Sequence, residues 1–156
     1  MCPESNLDAL LGTMEPILDA AEYVFCSIGQ DRLAGVGASP ICTFREAEGV
    51  TAILRREDAE RFALSSSFPC RRITMTVHSS LEAVGFLAAI ATTLAQNGIS
   101  ANAVSAYYHD HLFVPLSQAE RALQLLQKLQ LTARNGREWA ARPVERPSED
   151  GDSRIT

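Results

Sequence analysis

The sequence predicts an α+β protein, an antiparallel sheet with its helices on one face, and three observations lead there. An alternating apolar run, Ile73 to Val77, precedes a stretch from Leu81 to Ala95 whose apolar residues recur at helical spacing. Two further extended runs and a second amphipathic stretch complete the order strand, helix, strand, strand, helix from Ile73 to Leu131, a split βαβ pattern without its last strand. The first half reads strand, loop, strand, strand, helix, the same order with a loop replacing the first helix. A degenerate tandem follows, in which the strand missing from the second half comes from the first.

Taken in order, Asn6 caps a short helix carrying Leu7, Leu10 and Leu11, which ends near Gly12 and before Pro16. Tyr23 to Ile28 reads as a buried strand, followed by a Gly-containing loop from Gly29 to Pro40. Ile41 to Arg45 and Val50 to Leu54 flank the acidic turn Glu46-Ala47-Glu48-Gly49 and predict a hairpin, with Gly49 supplying a positive φ. Arg56 to Ala63 is a short helix with early acids that suit its dipole, and Ser65-Ser66-Ser67 with Pro69 breaks the pattern. The expected organisation is therefore a first half over 1–68, a second over 69–131 and a flexible tail over 132–156, in which Trp139 is the one residue able to dock.

In the second half, Ser79 and Glu82 fit a capping box that starts a helix of about four and a half turns, stopped by Gly98. Ile99 to Tyr108 and Leu112 to Val114 are extended, joined by the polar link His109-Asp110-His111 into an antiparallel pair. Ser117 and Glu120 repeat the capping-box pattern, opening a helix with Ala119, Ala122, Leu123, Leu126 and Leu129 on one side and ending near Leu131.

Composition narrows the function classes. Of 156 residues, 46% are hydrophobic and 21% charged, which is a globular balance. A net charge of -5 with scattered arginines argues against nucleic acid as a partner. The longest nearly apolar stretch, Phe86 to Ala95, falls far short of the roughly 20 residues that cross a bilayer. Glu4 and Asp8 without an early Lys or Arg do not resemble a secretory leader, so a cytoplasmic location is expected. Cys2, Cys26, Cys42 and Cys70 form no C-x-x-C pair and read as reduced, mostly buried thiols. No P-loop, G-x-G-x-x-G or H-E-x-x-H occurs, and no cofactor is expected.

The stretches Thr74 to Gly85, Gly98 to Asn102 and Tyr107 to Pro115 resemble small bacterial ACT-domain proteins. Tyr23 to Cys26 and Glu48 to Thr51 are similar to the same family and to the tandem ACT module of CASTOR-type amino-acid sensors, so the resemblance runs from about Leu7 to Leu131. It implies a ferredoxin-like βαββαβ regulatory fold whose members commonly bind amino acids between ACT units. The sequence departs from the family at the first helix start, where Ser79 to Ala83 replaces the more common Asp-x-Pro-Gly.

In a split βαβ unit, the ends of the two strands flanking the first helix lie at one edge, which brings His78, Ser79, Tyr108, His109 and His111 together. The amides of Ser80, Leu81 and Glu82 at the expected helix start would attract an amino-acid carboxylate, unless Ser79 and Glu82 simply cap each other. Asn102 offers an amide to such a ligand or serves a plain surface role, and of Tyr107 and Tyr108 one is core while the other borders a pocket. Gly85, one turn into the expected helix, marks close packing. Three functions follow: a free-standing amino-acid or metabolite sensor acting through a partner or its own homodimer; a metal-dependent enzyme using His78, His109 and His111; or a ligand-free dimerisation module. The first is expected, with no catalysis and no bound metal.

Overall fold

The computed structural model describes residues 4–29 and 37–136. Most of the expected Gly29–Pro40 loop and the tail from residue 137, Trp139 included, lie outside the described residues. The chain runs α1 (Leu7–Thr13), β1 (Pro16–Ile28), β2 (Cys42–Arg45), β3 (Val50–Arg55), α2 (Arg56–Arg61), β4 (Ser66–Met75), α3 (Phe86–Ala95), β5 (Asn102–Ser105), β6 (Asp110–Pro115) and α4 (Ala119–Arg134), the last preceded by a 3-10 turn over Leu116–Gln118.

Among the described residues, six strands form one antiparallel sheet in the order β2-β3-β1-β4-β6-β5. Read from the first half, β4-β1-β3-β2 is one four-stranded unit; read from the second, β1-β4-β6-β5 is another, and the two share β1 and β4. The missing strand of the second unit is thus the start of β1, where Pro16 to Leu18 pair with Met75 to Ile73. The hairpins of the two units have the same register sixty positions apart: Cys42↔Ile53 and Arg45↔Val50 in one, Asn102↔Phe113 and Ser105↔Asp110 in the other.

Alternation along the strands separates two faces. Val24, Cys26, Ile28, Ala52 and Leu54 pack on Ala59 of α2. Ile73, Met75, Leu112 and Val114 pack on Ala89, Ile90 and Leu94 of α3, Ala122 and Leu126 of α4, and Leu10 and Leu11 of α1. Leu18 and Val24 share a side of β1, so the four helices cover one face of the sheet. The other face gathers Tyr23, Ile53, Cys70 and Phe113, with Phe25 and Phe68 set edge-on around them.

Several boundaries differ from expectation. β1 begins at Pro16 rather than Tyr23, and β4 begins at Ser66, so the expected division at residues 68 and 69 falls inside a strand. The ladder tolerates Pro69 because it sits beside a bulge, where Phe68 at φ 55 is the extra residue between the pairs Phe25↔Ser67 and Tyr23↔Cys70. Helix α3 starts at Phe86, not at Ser79 or Ser80, and α4 runs to Arg134 without a side-chain cap from Ser117. Asn6 caps α1 as expected, accepting from the Ala9 amide at 2.9 Å. Gly49 has φ 157, and a Cβ there would come within 3.1 Å of the Ile28 carbonyl oxygen, an approach close enough to favour glycine.

Candidate functional site

The end of the second unit where β4 stops and β6 begins is assembled by a buried carboxylate. Asp110 opens β6 opposite Met75 and Ser105 and points to the helix face, where it is 5% exposed. Its Oδ2 accepts the Ser79 hydroxyl at 2.9 Å and its Oδ1 the Ser105 hydroxyl at 2.6 Å. A capping box at Ser79 does not form because this hydroxyl is already spent on Asp110; Ser80 Oγ instead accepts the Glu82 amide at 3.2 Å.

The connection between β4 and α3 is tied down from the N-terminal side. The Glu4 amide donates to the His78 carbonyl at 3.1 Å and the Ser80 amide to the Glu4 carbonyl at 2.8 Å, a parallel bridge that holds Ser79 in place. The Glu4 carboxylate in turn accepts the Asn6 and Ser5 amides, which hold its pKa below the usual carboxylate value. Gly85 is the N-cap of α3, not a residue one turn inside it. Its φ of 93 and the 3.3 Å from a built Cβ to Leu7 Cδ2 both favour glycine. No side chain caps the first turn of α3.

Ser79, Ser80, Ala83, Phe86, Ser105 and Asp110 line a cavity of about 150 Å³, with Gly85, Leu87 and Ala88 beside them. The uncapped helix start and the buried carboxylate therefore face one space. Larger grooves exist elsewhere. One of about 440 Å³ lies along Glu22, Arg55, Arg56 and Glu60, but Arg56 already bonds Glu22 at 3.0 Å and Glu60 at 2.9 Å. Another of about 500 Å³ lies between α1 and the end of α4 and is lined by Asp8, Thr13, Gln130 and Arg134. Neither holds a buried charge.

The structure gathers only some of the residues expected to form the site. Ser79 and Ser80 line the cavity; Leu81 lies at its rim, 68% exposed, and Glu82 is exposed. Tyr107 and Tyr108 are both exposed in the β5–β6 turn, edge-on at 4.9 Å, and Tyr108 meets His78 at 5.5 Å, so neither is core. His109 Nδ1 lies 3.2 Å from the Val77 carbonyl. His111 and Asn102 belong to the opposite face of the sheet, His111 with Nδ1 2.9 Å from Thr74 Oγ1 and Asn102 opposite Phe113. Among the described residues no group of three His, Cys, Asp or Glu is placed to hold a metal ion. Sequence reasoning missed Asp110 and Ser105, having read Asp110 as part of a turn; its place one residue after His109 at the start of an apolar strand was the available signal.

Cys2 lies outside the described residues, and Cys26, Cys42 and Cys70 are set apart from this cavity. Burial pushes the Cys70 thiol up to about 12 and raises Cys26, so neither is poised as a thiolate.

Comparison with known proteins decides the family. Residues 2–71 match one ACT-domain family and residues 67–128 a second, also described as an ACT domain. The chain belongs to the ACT-domain family. Its tandem ACT units make it a mixed α/β protein of the ferredoxin-like type, and ACT domains are regulatory rather than catalytic, which gives the chain a small-molecule-binding regulatory role. A Vibrio cholerae protein of unknown function, described as a possible transport protein, is 48% identical over 80% of this chain and 95% of its own, with a TM-score of 0.71. At the level of fold alone, the chain is similar to the ligand-free regulatory subunit of aspartate kinase from Thermus thermophilus (TM-score 0.60, 12% identity, 76% and 97% of the two chains). It is likewise similar to aspartokinase α and β subunits (TM-score 0.61, 13% identity, 73% and 95%). No curated protein matches. No helix among the described residues is long and apolar enough to cross a membrane.

Proposed function

We propose that this ACT protein is a cytoplasmic amino-acid sensor, without catalytic activity of its own, that acts through a partner protein or its own homodimer in the manner of CASTOR-type sensors. The observation that carries the reading is the uncapped start of α3 opening on the cavity beside Ser79 and Ser80. The amides of the first turn have no partner inside the helix, and their dipole favours an anion, so an amino-acid carboxylate gains charge-assisted hydrogen bonds there. The donors are those of Phe86, Leu87 and Ala88 rather than Ser80 to Glu82, because the helix starts later than the sequence suggests.

Leu81 at the rim, nearby Val84, and Tyr107 and Tyr108 in the β5–β6 turn are 61 to 84% exposed, apolar surface suited to a second copy of the chain. Thermal-shift screening with the standard amino acids tests the reading, together with two variants. Ala83→Trp fills the mouth and abolishes ligand-induced stabilisation in a folded protein; Cys42→Ala, far off on β2, leaves it intact. Equal stabilisation of Ala83→Trp and the parent would move the site elsewhere. A dimer that no amino acid stabilises would return the dimerisation module.

A further inference from the structure

We infer that Asp110 is the group that recognises the ammonium of the bound amino acid, and that the chain carries this site once, in its second unit only. The inference rests on the amino-acid reading above and deepens it.

The first unit supplies an internal control. Val50 and Asp110 hold the same position: each opens the third strand of its unit, each pairs with the last residue of the preceding strand (Arg45 or Ser105), and each pairs with the strand that begins its unit (Ile28 or Met75). Both are buried, Val50 at 2% and Asp110 at 5% exposure. The fold therefore accepts an aliphatic side chain at this point. A carboxylate there is costly, since removing it from water is repaid only by a cation or by a full set of hydrogen bonds.

Asp110 has neither in full. Its oxygens accept one serine hydroxyl each, leaving about half of their roughly four lone-pair positions free. None of the ion pairs among the described residues includes it. The one buried charged side chain of the described core thus lacks a cation, lines the cavity, and faces the space on which the α3 amides open. A positive pole and a negative pole across one small cavity match the two ends of a zwitterion. A volume of about 150 Å³ is roughly five times the share of one water in the liquid. It admits the ammonium, Cα and carboxylate of an amino acid, whose side chain extends toward Leu81 and Ala83. In the first unit, Val50 and Arg45 replace this arrangement and, among the described residues, offer no buried anion.

The full chain is tested by calorimetry and thermal shift with the twenty standard amino acids, each beside its N-acetyl form, which keeps the carboxylate and side chain but loses the charge. Amino acids are expected to bind at one site per chain and their N-acetyl forms not to bind. Asp110→Asn and Asp110→Val, the latter installing the first unit's residue, are expected to fold with a Tm at or above the parent's. Both should bind the best-bound amino acid about tenfold to a hundredfold more weakly. Binding of N-acetyl forms as tight as the parent amino acids, undiminished binding by either variant, or two sites per chain would overturn the assignment while leaving an amino-acid sensor. Failure of both variants to fold would make the carboxylate structural and also overturn it. If no amino acid binds the parent, this inference and the proposed function fall together.

Discussion

The two units of the sheet share a hairpin register, yet they are furnished differently. Among the described residues, the second lays α1, α3 and α4 over its strands and buries sixteen residues in one apolar cluster, whereas the first has α2 and six. The second also holds Asp110 where the first holds Val50. The same backbone thus serves as a lightly covered support on one side and as the thick wall of a cavity on the other. What differs is the cover, and with it the capacity to bury a charge.

The largest expected effect tests whether the two sides are separate at all. Leu126 of α4 is fully buried among Ile73, Leu112 and Val114, so Leu126→Ala should cost about 2–5 kcal/mol. Because β1 and β4 belong to both units, urea unfolding followed by circular dichroism should still show one transition. A separate transition for the first unit would break the comparison into two independent bodies.

Smaller effects sharpen it. Gly85→Ala places a Cβ at φ 93 against Leu7 and should cost about 1–2 kcal/mol by thermal denaturation. The helix ends then offer a matched pair. Both α2 and α3 close with a Schellman-type turn: the Leu64 amide donates to the Ala59 carbonyl at 2.9 Å, and the Ile99 amide to the Leu94 carbonyl at 3.0 Å. The left-handed residue is Ala63 (φ 49) in one and Gly98 (φ 68) in the other. Gly98→Ala should lose about 1 kcal/mol and Ala63→Gly should gain a similar or smaller amount, since each moves the residue type toward or away from what that φ favours. Equal signs in the two variants would show that something other than backbone conformation sets these ends.

The pH dependence is expected to be slighter and to come from the uncovered face. Burial raises the Asp19 carboxyl, but the Ala21 amide, the Tyr23 hydroxyl and the Arg72 guanidinium outweigh it and hold it below the usual carboxylate range. Its contribution is therefore present above the unfolded value and lost as pH falls through the depressed one. Burial pushes His111 down, with Arg72 and His109 adding to the effect, so the unfolded chain takes up that proton first and stability also falls as pH drops below about 6.5. In Tm measured against pH, Asp19→Asn should flatten the acid limb and His111→Gln the limb just below neutrality.

The architecture was legible from the sequence because short-range signals agree with the fold: the Asn6 cap, the acidic turn at Glu46 to Gly49, the stop at Gly98. What could not be read is what distant partners decide. Ser65 to Ser67 and Pro69 look like breakers, yet the bulge at Phe68 and the pairing with β1 make the chain strand from Ser66 onward. Ser79 looks like a helix cap until Asp110, 31 residues away, takes its hydroxyl. The shared edge of a split βαβ unit brings His111 to the expected site and Asn102 offers that site an amide, whereas in the sheet both side chains lie on the face away from the cavity. Alternation also turns Asp110 inward, and it becomes visible once β6 is known to start there.

The sharing of β1 and β4 also bears on the order in which the molecule can be made. Pro16 finds its partner only at Met75, and the helix that covers that pairing ends at Arg134. On the ribosome, the first unit must wait for β4 to emerge, and the start of β1 stays without its apolar cover until nearly the whole described chain has left the exit tunnel. Pairings so distant in sequence close slowly, so the nascent chain is most exposed to association with its neighbours during that interval, and cutting the gene at the middle of β4 would leave both fragments with an unpaired central strand.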